Sequence, residues 1–203
     1  MRTINYTGIL LLGLALGCTS TAKKNTGQAV VENTAVNKEV KEIPEDKLIV
    51  PGKQVGALYL GQDMKEVFAR LGNANDGDAA MGSALAMWNK DSISVFSSYR
   101  DSNMVVKAAK QIAVGSAGYS TANHIHTGIK LSQLIDLHPG LKLSAVYVNE
   151  KSKDTLKIFD DVAAGIAFDV EQGRCSRIIV HAKDKSVQGT YLSMYPGWNA
   201  VRQ

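Results

Sequence analysis

The sequence predicts an α+β fold made by tandem duplication, each unit a short helix followed by an antiparallel β-meander, with the helices packed on one sheet face. Three observations carry that expectation. Met64, Val67, Phe68 and Leu71 fall at i, i+3, i+4 and i+7, the spacing of one helix face. The same spacing returns at Leu131, Leu134, Ile135 and His138, with Gly61 aligned on Gly128 at an offset of 67. Each helical stretch is followed by short apolar runs bounded by Gly, Asn and Asp, the pattern of hairpin-connected strands.

Taken in order, Val55 to Gly61 reads as an extended lead-in. Asp63 is placed to cap the first helix, and Gly72 to end it in the left-handed conformation. Asn73 to Ser83 reads as a loop. Ala84 to Trp88, Ile93 to Tyr99 and Gln111 to Val114 read as strands, with Asp101-Ser102-Asn103 turning between the last two. After the second helix, stopped by Pro139-Gly140, strands are expected at Ala145 to Val148, Leu156 to Phe159, Ile166 to Val170 and Ile178 to His181. Gln111 to Val114 matches Arg177 to Val180 at an offset of 66, which closes both halves on a similar strand. The organisation that follows is residues 1–17 as a signal peptide, 18–51 as a flexible tether, 52–118 as a first repeat and 119–203 as a second repeat with an aromatic tail.

The signal assignment rests on Ile9 to Cys18, an apolar run too short to span a bilayer and of signal-peptide length, preceded by Arg2. Its end, Ala15-Leu16-Gly17-Cys18, resembles the lipobox of bacterial lipoproteins, which implies that Cys18 becomes the lipidated N-terminus. A multiply acylated cysteine is a stable anchor, since each buried methylene contributes about 0.8 kcal/mol. Thr19 to about Pro51 is rich in Thr, Lys, Asn and Glu without a consistent apolar period, and spans on the order of 30 to 40 Å as a coil. By the sorting habits of the lipoproteins it resembles here, Asn, Gln and Thr near Cys18 in place of Asp imply an outer-membrane destination facing the periplasm.

Charge and composition narrow the partners. Net charge is +4, but no basic run exceeds two residues, so the clustered stripe of a nucleic-acid-binding surface is missing. With Cys18 lipidated, Cys175 has no intramolecular partner; it reads as a small buried strand residue, while the flanking Arg174 and Arg177 keep a reactive thiol in view. The partners expected are the membrane, through Cys18, and an envelope protein.

Candidate chemistry is thin. His124-Ile125-His126 would put two imidazoles on one strand face, yet zinc needs further ligands from His138 or His181. Asp160-Asp161 with Asp169 is the material of a carboxylate hydrolase, although adjacent aspartates also make a solvated turn. Asn73 to Asp78 lacks the spacing and closing Glu of a calcium loop, and Ser97, Ser98, Ser116 and Ser120 stand in no nucleophile elbow. No catalytic residue, metal ligand set or cofactor is therefore assigned. Tyr191, Tyr195 and Trp198, in an aromatic tail, are the candidate binding residues, because Tyr and Trp dominate binding hot spots.

Glycine, short helix, loop and meander used twice behind a lipobox resemble the β-lactamase-inhibitor-protein-like repeats and the small lipoprotein subunit of the outer-membrane β-barrel assembly machinery. Tyr119-Ser120-Thr121 and Asp160-Asp161 with Gly165 to Asp169 look most like envelope lipoproteins of Bacteroidetes type. The resemblance, over about residues 55 to 182, implies an α+β module that binds proteins through sheet and loops without chemistry. The inhibitor family usually carries a disulfide in each repeat, which this chain cannot form, so no inhibitory residues are carried over. A small-ligand or glycan-binding accessory lipoprotein is the alternative, and a metal- or carboxylate-dependent hydrolase a third.

Overall fold

The computed structural model describes residues 42–190 and 192–201, and Cys18 and Tyr191 lie outside them. Of the described residues 43% are strand and 13% helix. The large sheet has nine strands in the order β13-β9-β10-β11-β12-β7-β6-β5-β4, every neighbour antiparallel. Its strands are β4 (Asp76–Ala80), β5 (Ser83–Trp88), β6 (Ile93–Tyr99), β7 (Lys107–Val114), β9 (Lys142–Asn149), β10 (Thr155–Asp161), β11 (Ile166–Glu171), β12 (Arg174–His181) and β13 (Trp198–Ala200). A smaller sheet, in the order β3-β2-β1-β8, is formed by β1 (Leu48–Val50), β2 (Gln54–Val55), β3 (Leu58–Tyr59) and β8 (Ser120–Thr121).

This corrects the expected α+β fold of helices laid on a sheet. The two α-helices among the described residues are α1 (Met64–Leu71) and α2 (Leu131–Leu137). Asp63 does cap α1, accepting from Lys65 N–H at 2.9 Å, and Gly72 follows it at φ 77°. But α1 buries only Met64 and Val67, and α2 only Leu134, while Phe68, Ile135 and Leu137 stay exposed. A helix of two turns offers one or two inward side chains. A strand of seven or eight residues, covered on both faces, offers most of its length. The core is accordingly sheet against sheet, a mostly β fold. Ile49, Val55 and Leu58 of the small sheet pack with Val95, Ile112, Phe168, Ile178 and Val180 of the large one.

Leu48–Val50 falls in the last part of the stretch read as tether, where Ile49 is fully buried. β4 occupies the stretch read as a loop. β7 pairs with β12, Ile178 opposite Val114 and His181 opposite Gln111, so one sheet runs through the boundary at residues 118 and 119. A second core lies on the other face, where Leu85, Phe96, Ala113, Ile158, Ala167 and Ile179 pack under residues of the C-terminal tail.

Candidate functional site

The tail is the cover of that second face. After β12 the chain turns at Lys183 to Ser186 and runs back as a strap that buries Val187, Leu192, Met194 and Tyr195, then pairs as β13 with β9, Trp198 opposite Asn149. Two polar clamps hold it. At its start, Asp160 accepts from Val187 N–H at 2.9 Å and from Ser186 Oγ at 3.3 Å, and its other oxygen lies 2.9 Å from His181 Nε2. Gln111 Nε2 donates to the Val187 carbonyl at 2.8 Å.

At the strap's far end, the Tyr195 hydroxyl donates to Asp169 Oδ1 at 2.8 Å and Arg177 Nε to Asp169 Oδ2 at 2.7 Å. The guanidinium also lies 4.8 Å from the Tyr195 ring centroid, and the Tyr147 ring stands 4.7 Å away. Burial, the largest influence, lifts the Asp169 carboxyl above the ordinary carboxylate range, against the pull of Arg177 and Tyr195. Burial likewise pushes the Tyr195 hydroxyl up, reinforced by the Asp169 charge.

Beside the strap lies a cleft of about 360 Å³, lined by Tyr147, Gln188, Thr190, Tyr195, Trp198, Asn199 and Gln111. Its wall carries no carboxylate, ammonium, guanidinium or imidazole group among the described residues. Gln111 is buried, and its Oε1 is the buried side-chain atom left without a hydrogen-bond partner among the described residues.

A different feature occupies one end of the large sheet. The turn between β4 and β5 is Met81-Gly82, both residues at positive φ (49° and 80°), and the longer turn between β6 and β7 contains Met104 at φ 54°. Met81 is 81% exposed, Met104 66% and Val105 78%. Antiparallel register puts both turns at the same end, and the space beside Gly82 is bounded by the Tyr99 ring. Of the eight non-glycine residues with positive φ among the described residues, the other six are polar: Asp91, Ser92, His124, Lys153, Gln172 and Asp184. A turn with two left-handed residues favours Asn-Gly, and each bulkier L-residue there costs roughly 1 to 2 kcal/mol. Two methionines, exposed and held at that cost, are a backbone outlier that asks for a functional reason.

The residues weighed for chemistry do not converge. Asp160 and Asp161 form no solvated turn; they end β10 and, being adjacent on a strand, face opposite sides. Asp160 meets His181, whereas Asp161 Oδ2 lies 3.1 Å from His138 Nδ1 at the end of α2. The Ala182 carbonyl, 3.0 Å from His181 Nδ1, can only accept, so both ring nitrogens are occupied and the imidazole has no free site for a base's work. Ser186 bonds the carboxylate, not the imidazole. His124 and His126 lie in a loop outside any strand, exposed on either side of buried Ile125. No group of three or more His, Cys, Asp or Glu among the described residues could hold a metal ion. Cys175 is buried, and burial pushes its thiol up to about 12, which removes the nucleophilic thiolate at neutral pH.

Of the candidate binding residues, Tyr195 is a buried clamp, Trp198 is half-buried at the cleft, and Tyr191 lies outside the described residues. The sequence reading missed Tyr147, Gln111 and the two methionine turns. Met104-Val105-Val106 directly after a polar turn was the visible signal, an apolar run where solvated residues belong.

Fold and site together define a two-sheet β protein with a strapped face, a neutral cleft and an apolar pole. No family model matches the chain, and neither the curated proteins nor the solved structures contain a match to it.

Proposed function

We propose that this chain is an envelope lipoprotein, anchored at Cys18, that acts as a non-catalytic protein-binding module. The observation that carries the reading is the apolar pole of Met81, Met104 and Val105. Exposed apolar side chains on strained turns cost stability and gain nothing until a partner covers them. The engagement of Asp160, Asp161, Asp169, His138 and His181 by protein partners favours binding over hydrolysis.

The test is a photo-cross-linking residue at Met81 or Met104 in intact cells, with Lys153, in the turn between β9 and β10, as the comparison site. One envelope protein captured from both methionine positions and not from Lys153 is the expected result. Equal, diffuse labelling from all three sites would end the proposal. Met81→Asn should stabilise the isolated chain by about 0.5 to 1 kcal/mol while lowering capture at Met104. Labelled fatty acid should enter the chain only when Cys18 is present, which tests the anchor separately.

A further inference from the structure

We propose that the cleft beside the strap binds a neutral, hydroxyl-rich ligand, a saccharide, with Gln111 Oε1 receiving one of its hydroxyls and Trp198 supplying an apolar wall. This goes beyond the protein-binding reading and uses other elements, so either can fail alone.

The ligand's class follows from the wall. With no ionisable group other than tyrosine lining it, the cleft offers nothing to offset the desolvation of a charged ligand. What it does offer is three aromatic side chains, Tyr147, Tyr195 and Trp198, among amides and hydroxyls: Gln188, Thr190, Asn199 and Ser193. The lining is more polar than apolar, which suits a hydroxyl-rich ligand better than an apolar one, and about 360 Å³ lies within the usual size range of a small-ligand site. The groups at the rim are already tied in place: Tyr147 donates to Gln188 Oε1 at 3.3 Å, Asn199 Nδ2 to Glu150 Oε1 at 2.7 Å, and Thr190 to the Leu192 carbonyl at 2.8 Å. They therefore need little ordering on binding.

Gln111 supplies the directional element. Its Nε2 is fixed on the Val187 carbonyl, which orients the amide and leaves Oε1, a strong acceptor, buried and without a donor among the described residues. Buried acceptors left unmade are rare and costly. A ligand hydroxyl is a donor able to fill it. A neutral peptide also carries donors, and the titration below sets it against the saccharides.

The experiment is calorimetric titration of the full chain with N-acetylglucosamine, diacetylchitobiose and maltotriose, against glucuronate and a neutral tripeptide. Saturable binding of at least one neutral saccharide is expected, weakened roughly tenfold or more by Gln111→Leu and by Trp198→Ala. Trp198→Phe, which keeps an aromatic wall, should stay within about threefold of the parent, and this separates loss of the wall from loss of the fold. Three results would overturn the proposal: no saturable binding of any neutral saccharide at about 10 mM, preference for glucuronate or the tripeptide, or binding indifferent to both Gln111→Leu and Trp198→Ala.

Discussion

Tyr195 shows how one side chain's role is set by partners distant in sequence. Its ring closes the strap over Tyr147, but its hydroxyl completes the coordination of a carboxylate that burial alone would disfavour. Tyr195→Phe keeps the packing and leaves Asp169 Oδ1 unpaired, so urea unfolding should show a loss of about 1 to 3 kcal/mol. Arg177→Met removes the counter-charge from the same buried group and should cost more, about 3 to 5 kcal/mol. Cys175 carries a pH signature. The unfolded thiol gives up its proton near the ordinary value of 9.0, whereas the folded one holds it up to about 12. The folded state thus binds the extra proton across that window, and stability falls as pH rises through it, by on the order of 4 kcal/mol by its upper end. Cys175→Ala should remove the part of the fall that begins near the thiol's ordinary value, leaving the fall that Tyr195 and Tyr147, both raised by burial, contribute at the alkaline end. Equilibrium unfolding at a series of alkaline pH values measures both slopes.

At the scale of the element, β4 shows how one open edge of a nine-stranded sheet can be guarded against further pairing. It is one of the sheet's two edge strands, paired only with β5, and its sequence Asp76-Gly77-Asp78-Ala79-Ala80 is loop chemistry by composition. Asp76 Oδ1 accepts from Gly77 N–H at 2.8 Å and Asp78 Oδ1 from Ala79 N–H at 2.7 Å, so the aspartates occupy donors that an added strand would need. Gly77 is required there because a Cβ would strike the Leu85 carbonyl. Replacing both aspartates with Ser should change stability by no more than about 0.5 kcal/mol yet produce concentration-dependent association in sedimentation velocity. An unchanged sedimentation profile would show that twist or the neighbouring turns protect the edge instead. β4 also marks the limit of what the sequence could tell. Ile93–Tyr99 and Ile178–His181 were legible because β-branched and apolar runs bounded by turn residues have few other readings. An edge strand exposed along most of its length has no apolar alternation to read. The helices were legible too, through spacing and the Asp63 cap, but spacing says nothing of how much a helix buries, and Phe68 and Ile135 remain in solvent. Trp198 and Tyr195 stood out as aromatic residues in a polar tail. That one clamps a carboxylate while the other walls a cleft depends on Asp169, Arg177 and Tyr147, which only the folded sheet brings near.

At the scale of the whole molecule, the two halves of the described chain are joined along a seam in the large sheet. β7 and β12 exchange ladder bonds over Gln111 to Val114 and Ile178 to His181, and both flank the first core, where Ile112, Ile178 and Val180 are fully buried. The small sheet crosses the same boundary, since Leu48 and Ile49 of β1 pair in parallel with Ser120 and Thr121 of β8. Neither half could leave without exposing an apolar core and a row of buried backbone groups, whose unmade hydrogen bonds cost about 1 to 3 kcal/mol each. The sheet should therefore unfold as one cooperative unit, not as two. The chain's two tryptophans sit on opposite sides of the seam, Trp88 in β5 with its indole N–H on the Gly72 carbonyl, and Trp198 in β13. Single-tryptophan variants, Trp198→Phe reporting from Trp88 and Trp88→Phe from Trp198, turn this into a measurement. After each variant's own stability change is removed by a common far-UV dichroism probe, the fluorescence midpoint in urea should coincide with the dichroism midpoint in both. Coincidence in the Trp88 reporter with an early transition at Trp198 would mean that the strap releases before the sheet, leaving the second face and its cleft open in a folded molecule. Early loss at Trp88 would instead mean that β4 to β7 form a separable unit and that the seam is weaker than its buried residues imply.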